Sequence, residues 1–132
     1  MSGAEVVQVY KTMLIDDEPF IRDDLRYLLS RYSQIEVVWE TGVFREALKI
    51  IGENRLDLVF LDIRIRGGNG FDLIPFINPQ ETEFIVITAH EKYLKQAKQM
   101  SRVPALLKPV SPDRLGQALH KMFNGRLSSH GS

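Results

Sequence analysis

Apolar residues in this chain gather into short runs, and four of those runs stop on a polar residue. Met13-Leu14-Ile15 runs into Asp16-Asp17, Leu58-Val59-Phe60-Leu61 into Asp62, Phe84-Ile85-Val86-Ile87 into Thr88, and Ala105-Leu106-Leu107 into Lys108. The runs are near-continuous rather than alternating, which predicts strands covered on both faces. Between them the period changes to that of a helix. Glu18-Pro19 is a helix opening, because proline is tolerated in the first turn, and Ile21, Leu25, Leu28, Leu29 and Tyr32 follow at helical spacing with Arg22, Asp23, Asp24 and Arg26 outside. Residues 35–40 predict the second strand, which Thr41-Gly42 break, and Phe44, Ala47, Leu48 and Ile51 give the second helix one apolar face. Residues 52–55 close that helix before a third strand at 57–61.

Asp62 opens a loop over 63–69, and residues 70–74 begin a short third helix that Pro75 keeps from growing long. A turn at Asn78-Pro79-Gln80 leads to a strand at 84–87, a weakly amphipathic helix over 91–100 and a fifth strand at 105–107. Ser111-Pro112 cap a last helix through Leu115, Ala118, Leu119 and Met122, and Asn124-Gly125 stop it. Residues 1–125 thus read as one domain and residues 126–132, RLSSHGS, as a loose tail or linker.

Five β-α units in order, joined by right-handed crossovers, predict an α/β fold: a three-layer α/β/α sandwich around a five-stranded parallel sheet. The pattern leaves strand order open. The flavodoxin-like arrangement, 2-1-3-4-5, supplies it by analogy and sets strands one and three side by side, bringing Asp16 and Asp17 next to Asp62. Three carboxylates, a hydroxyl and an ammonium then gather at the carboxyl edge of the sheet, where open α/β sheets bind ligands. Carboxylates want a hard cation, while a hydroxyl and an ammonium want an anion. The set points to a divalent metal and a phosphoryl group held side by side.

Composition narrows the partners. Seventeen basic residues cancel seventeen acidic ones, so no overall field favours nucleic acid or an anionic membrane. The absence of cysteine excludes disulfides, thiolate metal sites and thiol nucleophiles and fits a reducing compartment. The start, MSGAEVVQVYK, lacks the basic and apolar regions of a signal peptide, and no apolar stretch approaches a membrane span. The expectation is a cytoplasmic protein.

Together LIDDEP, the LVFLD block with Gly70 eight residues after Asp62, VITAH and LLKPV resemble the receiver domains of bacterial two-component response regulators, over about residues 12–123. TAHEKY and LLKPV are similar to receivers joined to LytTR-type DNA-binding domains. The resemblance implies that Asp62 is the phosphoacceptor, its carboxylate attacking the phosphoryl group of a partner's phosphohistidine to form an acyl phosphate. It implies that Asp17, Asp62 and the backbone carbonyl of Arg64 ligate Mg²⁺, with Asp16 holding it through water. Thr88 would donate its hydroxyl to a phosphoryl oxygen, and Lys108 would pair with the carboxylate before reaction and the phosphoryl group after it. Pro109 would fix, by a cis bond, the turn that aims the ammonium.

The physics of the residues runs the same way. A carboxylate attacking an anionic phosphoryl group meets repulsion that only nearby positive charge removes. Mg²⁺ takes oxygen ligands and keeps some waters, so two or three carboxylates suffice to hold it. Without metal, mutual repulsion should raise at least one carboxylate pKa and destabilise the site.

Three positions depart from the family pattern. Ala105 stands three residues before Lys108, where the family carries an aromatic ring that turns inward when the threonine moves; Tyr93 and Met100 lie nearby in sequence, with no geometric reason there to give either the role. Arg66 replaces a usual proline in IRIRGGNG, and Gly67-Gly68 should make that loop flexible and raise the entropy cost of ordering it. Arg64 and His90, two residues beyond Asp62 and Thr88, occupy positions that in the family flank the phosphoryl group; Arg64 is expected to lengthen its lifetime, the alternative being a solvent-facing charge, and a neutral His90 could instead orient water. Phe44, Phe60, Phe71, Phe76 and Trp39 read as core, and Glu53, Arg55, Lys92, Lys95 and Lys98 as solvated surface.

The resulting expectation is a phosphorylation-controlled switch rather than a turnover enzyme, taking phosphate from a sensor histidine kinase or phosphotransfer protein. Output would be a population shift on the face of helix four, strand five and helix five, through a homodimer or another partner, with no direct nucleic acid contact by this domain. No effector domain is visible, so a single-domain relay and a piece of a longer regulator both fit. One rival is a pseudo-receiver, an interaction module signalling without phosphate, which Ala105 favours. Another is an enzyme or flavin carrier on the same architecture. Asp-Asp-Glu-Pro after strand one would repel a cofactor phosphate, and no second acid stands two residues after a strand-end Asp to serve a phosphatase.

Overall fold

The computed structural model describes residues 8–100 and 103–123. The proposed helix stop at Asn124-Gly125 and the tail lie outside the described residues. The elements run β1 (Tyr10–Ile15), α1 (Pro19–Leu29), β2 (Ile35–Thr41), α2 (Phe44–Glu53), β3 (Leu58–Asp62), β4 (Arg64–Ile65), β5 (Gly68–Asn69), a 3₁₀ helix (Gly70–Phe76), β6 (Glu83–Thr88), α3 (Glu91–Gln99), β7 (Ala105–Leu107) and α4 (Pro112–Phe123). The main sheet is parallel and five-stranded in the order β2-β1-β3-β6-β7, which is the expected 2-1-3-4-5 arrangement once β4 and β5 are set apart.

Successive strand residues point to opposite faces, and that alternation sorts the core into two layers. Leu14, Phe60, Ile85 and Ile87 pack under α1 and α4 with Leu25, Leu29, Leu115 and Leu119. Met13, Ile15, Val59 and Leu61 pack under α2 and the 3₁₀ helix with Ala47, Ile50 and Leu73. A smaller cluster of Ile63, Val86 and Ala97, flanked by Phe71, Tyr93, Val103 and Ala105, seats α3.

Helix starts follow the local chemistry. Pro19 takes the first turn of α1, where its missing N–H costs nothing. Ser111 Oγ accepts from Arg114 N–H at the start of α4, as the cap reading expected.

Three sequence expectations need correction. The third helix is a seven-residue 3₁₀ helix that contains Pro75, a tighter winding suited to short pieces. The segment after Asp62 is a hairpin, not an open loop: β4 and β5 pair antiparallel across Arg66-Gly67, with Gly67 at φ +84°. Arg66 N–H donates to Gly42 O (3.0 Å) and Phe44 N–H donates to Arg66 O (2.8 Å), which pins the hairpin to the β2–α2 turn. A proline at 66 could not make the first of these bonds. Gly68 lies flat on Phe44, since a Cβ there would meet the ring at 2.6 Å. Finally, Trp39 is 42% and Phe76 59% exposed, so neither is core. Trp39 sits on the edge strand, which has a neighbour on one side only, and Phe76 ends the 3₁₀ helix while Ile77 takes the buried position. Phe60 is fully buried, Phe44 and Phe71 pack against the clusters, and Glu53, Arg55, Lys92, Lys95 and Lys98 are exposed as expected.

Close backbone approach explains two glycines near the strand ends. A Cβ on Gly42 would stand 2.5 Å from Asp17 Cα, and one on Gly70 would stand 2.1 Å from the Asp62 carbonyl oxygen. Gly70→Ala should therefore lower the free energy of unfolding in urea by about 1–3 kcal/mol through overpacking. By contrast Gly52→Ala, on a helix with nothing within 4 Å of the new carbon, should raise it by about 0.5–1 kcal/mol.

Candidate functional site

Parallel strands of a twisted sheet deliver their last residues to one edge, and here β1, β3, β6 and β7 end at Asp16, Asp62, Thr88 and Lys108 or one residue short of them. The register is direct: Ile15 pairs with Leu61, Asp62 with Ile87, and Thr88 with Leu107. Lys108 N–H donates to Thr88 O (2.8 Å), which carries the pairing one residue past β7, and the Lys108–Pro109 peptide is cis.

Lys108 is the hub. Its side chain is 7% exposed, and Nζ lies 2.7 Å from Asp16 Oδ2, 3.1 Å from Asp62 Oδ2 and 3.3 Å from Glu18 Oε1. Asp62 Oδ1 accepts from Ile63 N–H (2.7 Å), which fixes the carboxylate's plane. Asp16 Oδ1 accepts from Glu18 N–H (2.8 Å), and its backbone carbonyl accepts from Arg22 Nη1 (2.5 Å). Asp16 Oδ1 thus holds the turn leading into α1 while its other oxygen faces the site. Asp17 is exposed beside them.

Asp17, Glu18, Asp62, Arg64, Ala89, His90 and Lys108 line a cleft of about 260 Å³. At its rim Arg64 Nη1 lies 3.3 Å from His90 Nε2. Thr88 is buried, and its Oγ1 accepts from His90 N–H (3.1 Å), which leaves its own hydroxyl proton available to donate. Ala105 lies on β7 beside the Tyr93 cluster, with no ring of its own.

The acid pair Asp16-Asp17, Asp62, Lys108, Arg64 and His90 thus converge as expected, and Thr88 ends the neighbouring strand. Glu18 was missed. In sequence it reads as part of a helix opening and of the acidic Asp-Asp-Glu-Pro segment, not as a site residue, although a third consecutive acid in DDE is the available signal. One oxygen each from Asp16, Asp17, Glu18 and Asp62 falls within 4.8 Å of the others. Asp16 Oδ2 is buried and accepts no well-angled hydrogen bond, its contact with Lys108 being an ion pair outside that geometry. An all-oxygen donor set with one buried, unsatisfied acceptor fits a hard cation such as Mg²⁺.

The electrostatics differ from expectation in cause. Burial pushes the Asp62 carboxyl up to about 6, with the charge of Asp16 adding to the rise and Lys108 opposing it. Asp16 is also raised, by burial before all else, against the pull of Lys108. Mutual repulsion is thus the smaller effect and desolvation the larger. Burial works against the Lys108 ammonium too, but its close contact with the Asp16 carboxylate and the charges of Asp62 and Asp16 outweigh that, so its pKa is raised.

Residues 12–120 match the family described as the response regulator receiver domain. The chain belongs to that family. It is similar to the sensory transduction protein LytT of Bacillus anthracis, at 33% identity over 113 residues that cover 84% of this chain and 46% of that protein. Similarity to the sensory transduction protein LytR of Staphylococcus epidermidis is 35% over 114 residues, covering 85% of this chain and 45% of the relative. Among solved structures, the response regulatory domain of protein mrkE from Klebsiella pneumoniae superposes with a TM-score of 0.78 at 26% identity, covering 88% of this chain and 97% of that one. The chain spans just under half the length of the curated relatives it matches. Receiver domains work in two-component signalling, interact with histidine kinases or phosphotransfer proteins, and bind Mg²⁺ at an acidic pocket. No helix among the described residues is long and apolar enough to cross a membrane.

The raised Asp62 pKa has a thermodynamic consequence. The folded receiver holds that proton more tightly than the unfolded chain, whose carboxyl titrates near 3.8. The resulting stability is fully present below that value and is lost as pH rises through about 6. In chelator, the metal-free protein should lose about 2 kcal/mol across this window relative to Asp62→Asn, measured by urea unfolding at a series of pH values. Parallel stability–pH curves for the two proteins would contradict it.

Proposed function

We propose that this receiver accepts a phosphoryl group on Asp62, with Mg²⁺ bound, from a histidine kinase or phosphotransfer protein. The observation that carries the reading is the buried contact of Lys108 with Asp62 at the open end of a cleft lined by acids and by the Arg64–His90 pair. In the transfer, an Asp62 carboxylate oxygen bonds to phosphorus as the donor's phosphorus–nitrogen bond breaks, and that electron pair leaves on the imidazole. Asp17, Asp62 and the Arg64 carbonyl would hold the metal, with Asp16 behind a water and Glu18 at the rim. When bound, Mg²⁺ supplies the positive charge that offsets repulsion between carboxylate and phosphoryl oxygens.

The remaining roles belong to the chain. Lys108 neutralises the acids before transfer and pairs with the phosphoryl group after it. Thr88 Oγ1 accepts from His90 N–H before transfer and would turn to donate its hydroxyl proton to a phosphoryl oxygen after it. Pro109 follows the cis bond beside this lysine. Arg64, exposed at the rim and next to His90, shields the acyl phosphate from water.

The relatives named LytT and LytR are about twice as long as this chain. A LytTR-type DNA-binding domain, which the likeness of TAHEKY and LLKPV implies, would be the effector that this receiver governs, in the cytoplasm, through self-association or partner binding on the α3–β7–α4 face. The pseudo-receiver reading keeps one observation in its favour, the ringless Ala105.

Incubation with Mg²⁺ and a small-molecule phosphodonor should add about 80 Da, one phosphoryl group, by intact mass. Asp62→Asn or excess chelator should abolish the gain, and an unmodified wild-type mass would reject the reading. Mg²⁺ at saturating concentration should also raise the melting temperature, by mass action on the folded state. Once labelled, Arg64→Ala should lose its phosphoryl group several-fold faster than wild type, a change near 1 kcal/mol in barrier; an equal half-life would remove Arg64 from the shielding role.

A further inference from the structure

Ala105 raises a question of transmission, because a methyl group has no ring to swing inward. A ring from another element nevertheless packs against the same small cluster as Ala105. Tyr93, on the first turn of α3, packs into the cluster of Ile63, Val86, Ala97, Phe71, Val103 and Ala105. Its ring stands edge-on to His90, with centroids 5.6 Å apart and planes at 89°, and edge-on to Phe71 at 6.2 Å and 64°. Lys92 Nζ lies 4.9 Å from the centroid of the same ring.

Two of these neighbours, His90 and Phe71, lead back toward the phosphoacceptor. The N–H of His90 donates to Thr88 Oγ1, and its ring nitrogen meets Arg64, two residues after Asp62. Phe71 follows Gly70, whose N–H donates to Ile63 O (2.6 Å) and whose Cα leaves no room for a side chain against the Asp62 carbonyl. Ile63, in turn, is the residue whose N–H holds Asp62 Oδ1. Two routes therefore meet at Tyr93, one from Thr88 and Arg64 through His90 and one from Asp62 through Ile63, Gly70 and Phe71.

We propose that Tyr93 is the ring through which the phosphorylation state of Asp62 reaches α3, taking the part that residue 105 cannot play. The inference rests on the phosphoacceptor reading of Asp62. When the Thr88 hydroxyl turns toward a phosphoryl oxygen, the His90 N–H loses the partner that fixes the start of α3. The Arg64 guanidinium is drawn toward the same new charge and leaves the His90 ring. His90 is then released on both sides, and the ring packed edge-on against it must repack, since a close-packed cluster moves between discrete arrangements rather than by continuous creep. Edge-on ring pairs contribute stability beyond their buried area. That contribution bears on the position of a short helix with one fully buried residue, Ala97.

The test uses the full chain with Mg²⁺ and a small-molecule phosphodonor, and intact mass reports phosphorylation separately from its consequence. Hydrogen exchange over α3 should change by at least about threefold on phosphorylation in wild type and in Tyr93→Phe, which keeps the ring. Tyr93→Leu should gain the same mass with less than half that response. A second readout needs no variant that risks the fold: in protein carrying 3-fluorotyrosine, the Tyr93 resonance, assigned by its loss in Tyr93→Phe, should shift on phosphorylation and stay fixed in Asp62→Asn. A full mass gain with a stationary Tyr93 resonance, or a Tyr93→Leu response equal to wild type, overturns the relay and leaves the phosphoacceptor reading standing. No mass gain in wild type overturns both.

Discussion

A single ammonium, Lys108, buried among carboxylates at the end of a parallel sheet is the interaction around which the functional edge of this receiver is organised. Its Nζ contacts Asp16, Asp62 and Glu18 together. Burying any of these charges alone would cost several kcal/mol, and one ammonium cannot balance three carboxylates. The imbalance appears as the raised carboxyl pKa values of Asp62 and Asp16, where loss of water dominates and the like charge adds to it for Asp62. The edge is therefore built short of positive charge, the condition in which a divalent cation gains most by binding.

Backbone packing around that edge is close, which makes a charge-poor site sustainable. Gly42 lets the β2–α2 turn rest on Asp17, Gly70 lets the 3₁₀ helix rest on the Asp62 carbonyl, and Gly68 lets the hairpin lie on Phe44. The two backbone bonds through Arg66 join the hairpin to the turn. The segment that would carry the Arg64 carbonyl ligand is thus ordered by contacts remote from the metal site. The entropy cost expected of a Gly-Gly loop is met largely during folding, not at binding.

In the proposed relay, Tyr93 takes a physical task that Ala105 lacks the ring to perform. The task requires a bulky, flat side chain wedged between the threonine strand end and the outer helix. A ring on α3 meets His90 directly, so it is coupled to the loop after Thr88 without the intervention of β7.

The strand ends and their chemistry were legible in the sequence because burial on both faces forces continuous apolar runs, and such runs must stop where a polar side chain is needed. Asp16, Asp62, Thr88 and Lys108 announced themselves in this way, and with them the α/β class and the receiver family. Local patterning was silent where the deciding contact was distant. Trp39 and Phe76 are as apolar as any core residue, but an edge strand and a helix end leave them exposed. Gly67-Gly68 read as slack because the partners that fix the hairpin, Gly42 and Phe44, lie more than twenty residues earlier. Glu18 looked like helix grammar until the fold carried Lys108 to within reach of it. What the sequence determined by itself was the set of chemical groups and the edge that collects them, since both follow from hydrophobic periodicity and side-chain type. The tertiary structure alone decided how those groups share one buried ammonium, which loops are pinned, and which ring lies beside the switch, because these depend on contacts between residues that no local window contains.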